Sequence, residues 1–514
     1  MTRRQQARFD WRWVAIIFFL VLALGLALYK NIHVDKDSTT NIQNSLVIDN
    51  SDLKINWDRY QTTEIKLSES LNITKSGTYH LTGELKDGNI VIDAGISEVR
   101  LILDNATISS SNGPAILCHN AENLVIELRG ESTISDSENY SNIKDEDIRG
   151  TVYSKADLAF TGTGTLNINA KYQDGIVAKD DVKFNSGIYN INAKSNAILG
   201  KDSIYVVGGS YNLISDNDSM KTTNIDDFGK GFILIENGTF SINSLAKGLE
   251  SANCIVINSG NIDIDSFDDA IHARNYVGLK DGVISITSGD DAIHADKEVT
   301  LDGGWINIVK SFEGIEAETI TINSGELSIR STDDGINAGN SIDGSTTNHN
   351  PSTDQSMNTD ENCKVVFNGG STYINSVGDG IDSNGHVIIN DGIIIVDGPI
   401  DSKNGALDSG LGFITNGGTV IAVGSSEMAS NLGEKSNALN LSVYFSEVQP
   451  ADTKIEIKDS QDKILLSHTS TKEFSHLAAT TPDFIIGETY DIYINDKKTQ
   501  SFTISSMTTI INEA

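Results

Sequence analysis

Short runs in which aliphatic and polar residues alternate recur along most of this chain, and a glycine opens each of them. Gly187, Gly209, Gly238, Gly260, Gly282, Gly304, Gly325, Gly370, Gly392 and Gly418 lie 22, 29, 22, 22, 22, 21, 45, 22 and 26 residues apart. One unit reads Asp291-Ala-Ile-His-Ala295, a turn, Val299-Thr-Leu301, then Gly303-Gly304-Trp305-Ile306-Asn307-Ile308. Side chains alternate across a strand, so Ile293, Val299, Leu301, Ile306 and Ile308 can all point to one interior. Ile271, Val277, Leu279, Ile284 and Ile286 occupy the same places one unit earlier. Three short strands per repeat, with a fixed period, predict an all-β solenoid of the parallel β-helix kind. A sandwich would need hairpins and a looser spacing.

The first strand of the unit starts at Gly113, Gly150, Asp174, Asn196, Lys247, Asp269, Asp291, Glu313, Asp334, Asp379 and Gly405. This predicts about a dozen coils within a helix domain of residues 75–430. Departures from the period mark insertions near 136–148, 216–230 and 339–362. Both ends of such a helix expose unpaired strand edges and need covers. After Leu439 the period stops, and Leu441–Phe445, Lys454–Lys458 and Tyr490–Ile494 alternate like strands of a small module, residues 431–514.

The N-terminus follows another pattern. Arg3, Arg4, Arg8 and Arg12 precede the uncharged, mostly apolar run Trp13–Tyr29. Residues 1–30 therefore read as a signal anchor or a signal peptide, and residues 31–74 as a tether and the start of a cap. The expected location is the outer face of a bacterial cytoplasmic membrane or the cell surface, or the medium if the signal is cleaved. With 71 acidic and 38 basic residues the chain carries a net charge of −33, which disfavours a nucleic-acid partner. Cys254 and Cys363 fall four coils apart, roughly 19 Å, beyond disulfide reach, and Cys118 lies further away.

Stacked coils place equivalent residues in columns. One outward column holds Glu250, His272, His294, Glu316, Asn337, Asp382 and Asp408. The turn before it supplies Asp268, Asp269, Asp290, Asp291, Glu313, Asp333, Asp334 and Asp379. Like charges about 5 Å apart repel by roughly 1 kcal/mol in water and more where solvent is partly excluded. Asp268, Asp269, Asp290, Asp291, Glu313, Asp333, Asp334, Asp379 and Asp382 are therefore candidate ligands of a hard cation such as calcium. The alternative is that aspartates only end strands. His272 and His294 beside Glu316 could hold zinc or be ordinary surface histidines. Lys155, Lys179, Lys201, Ala252 and Arg274 form another column. Its cations could grip an acidic sugar chain or neutralise Asp180 and Asp202. Trp305 is outward and could stack on a sugar ring or pack beneath an insertion. His272, His294, Glu316, Trp305, Arg274, Lys155, Lys179 and Lys201 are thus the candidate carbohydrate contacts.

The stretches Asp268-Asp-Ala-Ile-His-Ala273, Asp290-Asp-Ala-Ile-His-Ala295, Phe312-Glu-Gly-Ile-Glu-Ala317 and Asp333-Asp-Gly-Ile-Asn-Ala338 carry a resemblance. So do Gly378-Asp-Gly-Ile-Asp-Ser383, Asn404-Gly-Ala-Leu-Asp408, Ala422-Val-Gly-Ser-Ser426 and Gly487-Glu-Thr-Tyr490. The chain resembles the carbohydrate-binding, polysaccharide-lyase-like parallel β-helix proteins of clostridial and related bacterial cell surfaces. That resemblance implies a right-handed parallel β-helix with bound calcium that binds cellulose or acidic polysaccharide such as polygalacturonate. The leading expectation is a surface polysaccharide-binding protein. The rival is a calcium-dependent lyase with Arg274 or Lys297 as base. A third reading is a structural spacer or adhesin.

Overall fold

The computed structural model describes residues 46, 51–141, 143–339, 359–401, 403–433 and 435–512. The anchor expected at 1–30 and most of the insertion at 339–362 lie outside the described residues. Among the described residues, no helix is long and apolar enough to cross a membrane.

Three ribbons of parallel strands wind through about fifteen turns, an all-β solenoid with the spacing read from the glycines. The first ribbon stacks Leu249–Ser251, Ile271–Ala273 and the start of Ile293–Leu301, with Ile271 opposite Ile293 and Ile293 opposite Ile315. The second stacks Cys254–Ile257, Tyr276–Leu279 and the end of Ile293–Leu301. The third stacks Thr239–Ser244, Asn261–Ser266, Val283–Thr287 and Trp305–Ser311. More turns are present than the dozen expected because stacking begins at Thr62–Leu67, which pairs in parallel with Gly77–Leu85. Those early coils lack the regular glycine.

The glycine period has a backbone cause. Gly282 and Gly304 sit at φ +115° and +83°, a region L-residues rarely adopt. A Cβ at Gly304 would also lie 2.8 Å from the Gly282 carbonyl oxygen of the coil before. The chain can turn into the third ribbon at this corner only with glycine.

Inside, the alternation delivers the columns it predicts: Ile271, Ile293, Ile315, Ile336 and Ile381 are all fully buried in one line. Each such side chain contributes about 1.5–3 kcal/mol by leaving water. Earlier coils use aromatic rings instead, with Tyr189 on Tyr211 at 5.1 Å and Tyr211 on Phe240 at 4.5 Å, both stacked. Cys118, Cys254 and Cys363 are free and buried, as the coil arithmetic requires.

After the last coil the direction changes. Thr419–Gly424 pairs in antiparallel fashion with Phe474–Thr480, which pairs in turn with Asn440–Gln449. A separate four-stranded antiparallel sheet of Lys454–Lys458, Ile464–Thr469, Thr489–Ile494 and Lys497–Thr503 completes the C-terminal part. The antiparallel strands take up the backbone groups of the final third-ribbon strand, which would otherwise be an open edge. Leu441, Val443, Phe474, Leu477 and Ile421 share a small core of their own there.

Candidate functional site

Several third-ribbon strands end on or just before a serine that bends the chain. The Oγ of Ser266, Ser288 and Ser331 donates to the carbonyl of Asp268, Asp290 and Asp333, two residues on, at 2.9–3.0 Å. This local turn brings the paired acids to the corner before the first ribbon. In two of these pairs the second acid then reaches the next coil. Asp269 Oδ1 accepts from the Asp291 amide at 3.0 Å, and Asp334 Oδ1 from the Asp379 amide at 2.6 Å. Asp174 and Asp379 do the same for Asn196 and Gly405. One oxygen of these carboxylates is thus structural, as strand-ending acids would be, and the second oxygen remains for other work.

Charge balance changes along this column. Asp269 is held by Lys247 and lies 3.7 Å from His294 Nδ1. Burial disfavours its charge, yet the His294 and Lys247 cations outweigh that and hold it below the ordinary carboxylate range. Further on, compensation stops. Burial, then repulsion from Glu313 and Glu316, pushes Asp291 well above its usual range. Glu313 is raised in the same way, by burial and then Glu316. Burial and Asp379 push Asp334 up to about 9, and burial pushes Asp379 up to about 7. One oxygen each from Asp334, Asp379 and Asp382 lies within 4.8 Å of the others, and so do those of Asp268, Asp269 and Asp290. The set Asp334, Asp379 and Asp382 is all oxygen, the donor chemistry of a hard divalent cation. Asp333 stands beside Asp334 and adds to its repulsion.

The outward column departs from expectation. His272, His294 and Glu316 do stack in register, but they are only 8%, 3% and 9% exposed. In-register stacking makes each side chain a lid for its neighbour, and the turn carboxylates wall the side. The His272 and His294 rings are 4.9 Å apart. His272 Nδ1 is bonded to Glu250 at 2.8 Å. Burial opposes its charge, but the nearby Asp296 and Glu250 carboxylates prevail and push it up to about 10. These three residues are members of a buried network.

The cationic column is largely paired. Lys155 and Lys179 meet Asp145 and Asp147 of the first insertion at 3.4 and 3.0 Å, and Lys201 approaches Asp202 at 3.9 Å. The expected partner Asp180 is instead approached by Lys230 at 3.7 Å. Arg274 is exposed, and Trp305 is 41% exposed at the outward start of its strand. Lys297 is bonded to Glu318 at 2.5 Å, which raises its pKa.

The outer surface of the third ribbon was not singled out by the motifs. Across four coils it presents Thr165, Asn167 and Asn169; Ile188, Asn190 and Asn192; Ser210, Asn212 and Ile214; Thr239, Ser241 and Asn243. None of these is ionisable, on a chain of net charge −33. Asn190 Nδ2 donates to Asn167 Oδ1 at 2.8 Å, which aligns the amides. At the rim, Leu245 and Phe267 stand 59% and 69% exposed on adjacent coils. The signal available in the sequence was local: two Asn-x-Asn pairs, Asn167 with Asn169 and Asn190 with Asn192, set 23 residues apart.

A carbohydrate-binding domain-containing protein of Acetivibrio thermocellus is 29% identical over 223 residues, covering 42% of this chain and 77% of that protein. The solved polysaccharide lyase-like protein from C. thermocellum, a gadolinium derivative, aligns with 48% of this chain and 96% of its own at 25% identity and a TM-score of 0.38. The model of carbohydrate-binding domain-containing proteins matches residues 68–311 and 264–356, more than half the length, and the chain belongs to that family.

Proposed function

We propose that this protein is a non-catalytic polysaccharide-binding protein of the cell surface, whose polymer lies along the neutral third-ribbon face and whose acidic corner is held together by calcium. Family membership supports the carbohydrate. The observation that carries the choice of face is the block of amides and hydroxyls from Thr165 to Asn243, free of charge. Amides donate and accept, as sugar hydroxyls do, and coils about 4.8 Å apart repeat the pattern along a line. Phe267 at the rim, and Trp305 further along the same ribbon, offer apolar faces for sugar rings. Cellulose fits this face by its neutrality. Polygalacturonate would need calcium to bridge its carboxylates to a chain of this charge. Residues 1–30 would keep the protein at the membrane.

Calcium, where bound, would be held by Asp334, Asp379 and Asp382, whose carboxylate oxygens lie within 4.8 Å of one another. Its role there is to neutralise repulsion between coils. A lyase would require a neutral base above a bound uronate. Lys297 is kept protonated by Glu318, which argues against it.

The test is a pull-down of the full chain on cellulose and on polygalacturonate gel, with calcium and with chelator, while ultraviolet absorbance is followed for unsaturated product. Expected is binding without product, weakened about tenfold by the pair Asn190→Asp and Asn212→Asp through loss of roughly 1.4 kcal/mol. Undiminished binding by that folded variant would remove the third-ribbon face from consideration, and calcium-dependent product would make the protein a lyase.

A further inference from the structure

We infer that Asp291, His294 and Glu316 form a binding site for a divalent transition metal ion of the zinc class, with His294 Nε2 as a ligand. The inference does not rest on carbohydrate binding. One donor atom from each of the three residues lies within 4.8 Å of the other two. His294 Nε2 is sealed from solvent, has no hydrogen-bond partner, and lies 3.7 Å from Glu316 Oε2. The other ring nitrogen, Nδ1, faces the carboxylates of Asp291 at 3.6 Å and Asp269 at 3.7 Å. Lys247 in turn fixes Asp269. Histidines that ligate metals carry this arrangement, with one nitrogen oriented by a carboxylate and the other turned to the ion.

A second sealed atom points the same way. Glu313 Oε2, one coil on from Asp291, also lacks a hydrogen-bond partner. Asp269, Asp291 and Glu316 crowd one imidazole here, each 3.6–3.7 Å from one of its nitrogens. His272 repeats the pattern on the neighbouring coil: Nδ1 is taken by Glu250 and Nε2 is buried without a hydrogen bond.

The donor set selects the ion. Calcium takes oxygen ligands in groups of about six to eight, and an imidazole nitrogen does not suit it. Zinc takes mixed nitrogen and carboxylate ligands at about 2.0–2.2 Å, so tetrahedral ligand pairs stand roughly 3.3 Å apart. The observed 3.7 Å between His294 Nε2 and Glu316 Oε2 needs to close by only a few tenths of an ångström. Glu313 or His272 can supply the fourth position. The all-oxygen set of Asp334, Asp379 and Asp382 further along the helix remains the place for a harder ion.

The experiment uses the full chain stripped with chelator and titrated with cobalt(II), then zinc, in excess calcium. Expected is a visible ligand-field absorption that saturates at about one equivalent and is bleached by zinc. His294→Gln should abolish it, and zinc should raise the melting midpoint of the parent but not of this variant. Should His294→Gln not fold, Glu316→Gln keeps the imidazole and is expected to weaken cobalt binding about tenfold or more. Cobalt absorption that persists in folded His294→Gln, or that calcium removes from the parent chain, would overturn the assignment. Polymer binding is read separately, and its loss would bear on the carbohydrate reading alone.

Discussion

At Asp397 a single buried carboxylate ties the solenoid to the C-terminal part. It accepts from His468 Nε2 at 2.6 Å, from the Thr471 amide and hydroxyl at 3.0 and 2.7 Å, and from the Tyr373 hydroxyl at 2.9 Å. Burial alone would raise its pKa, but these donors dominate and hold it at about 2. A carboxyl depressed in the folded state stabilises above its unfolded pKa, near 4, and the benefit disappears as pH falls through about 2. Melting between pH 4 and 2 should therefore lose roughly 2–3 kcal/mol in the parent chain, and Asp397→Asn should flatten that slope. An equally steep acid limb in the variant would assign the loss to other carboxylates. The same scale shows what a sequence cannot display. His272 and His294 read as outward, and they are, yet their exposure depends on what sits one coil above and below. Alternation along a strand gives direction; only the stack gives cover.

The corner between the second and third ribbons is an element in its own right. Asn323, Asn368, Asn390, Asn416 and Asn437 form a ladder, each Nδ2 donating to the Oδ1 of the preceding rung at 2.6–2.8 Å, and Asp302 accepts at its start. Asn390 makes two of these bonds, so Asn390→Ala should cost about 1–2 kcal/mol in urea unfolding. No change in midpoint would mean that water replaces the rungs without penalty. Asn323, Asn368, Asn390 and Asn416 each precede a repeat glycine by two residues. The ladder was therefore present in the sequence beside the glycine period, and only the corner geometry shows that the side chains meet. The aromatic stack is the interior counterpart. Tyr211 lies between Tyr189 and Phe240 with its hydroxyl on the Gly208 carbonyl. Tyr211→Ala should cost about 3–5 kcal/mol by leaving a cavity between two rings. A loss below 1 kcal/mol would show that the neighbouring coils collapse into it.

For the molecule as a whole, charge is unevenly placed. Acids gather at one corner of the helix, while four coils of the third ribbon carry none on their outer surface. Binding to a neutral polymer through that surface should be nearly independent of ionic strength, whereas stability should respond to cations. Chelator is expected to lower the melting midpoint of the full chain by several degrees, calcium to restore it, and Asp334→Asn with Asp379→Asn to remove most of that response. A midpoint indifferent to chelator would leave the acidic corner as a strand-ending device alone. The period, the core columns and the parallel pairing were legible because glycine and alternation are local demands. The neutral face and the early coils from Thr62 were not, since one is defined by absence and the other dispenses with the repeat glycine.

The stacking register also bears on how such a chain can change length over generations. Glycines 304 and 325 are 21 residues apart, and the missing residue falls where the pairing of Ile293–Leu301 with Ile315–Ile322 shifts between Ala295 and Glu298. A single-residue slip is thus absorbed within one floor and does not pass to the next. Loss or duplication of a complete floor would leave every remaining column aligned, while a partial floor would turn the interior outward. Homologues of this chain should accordingly differ in length by whole coils, with smaller gains and losses confined to the corners.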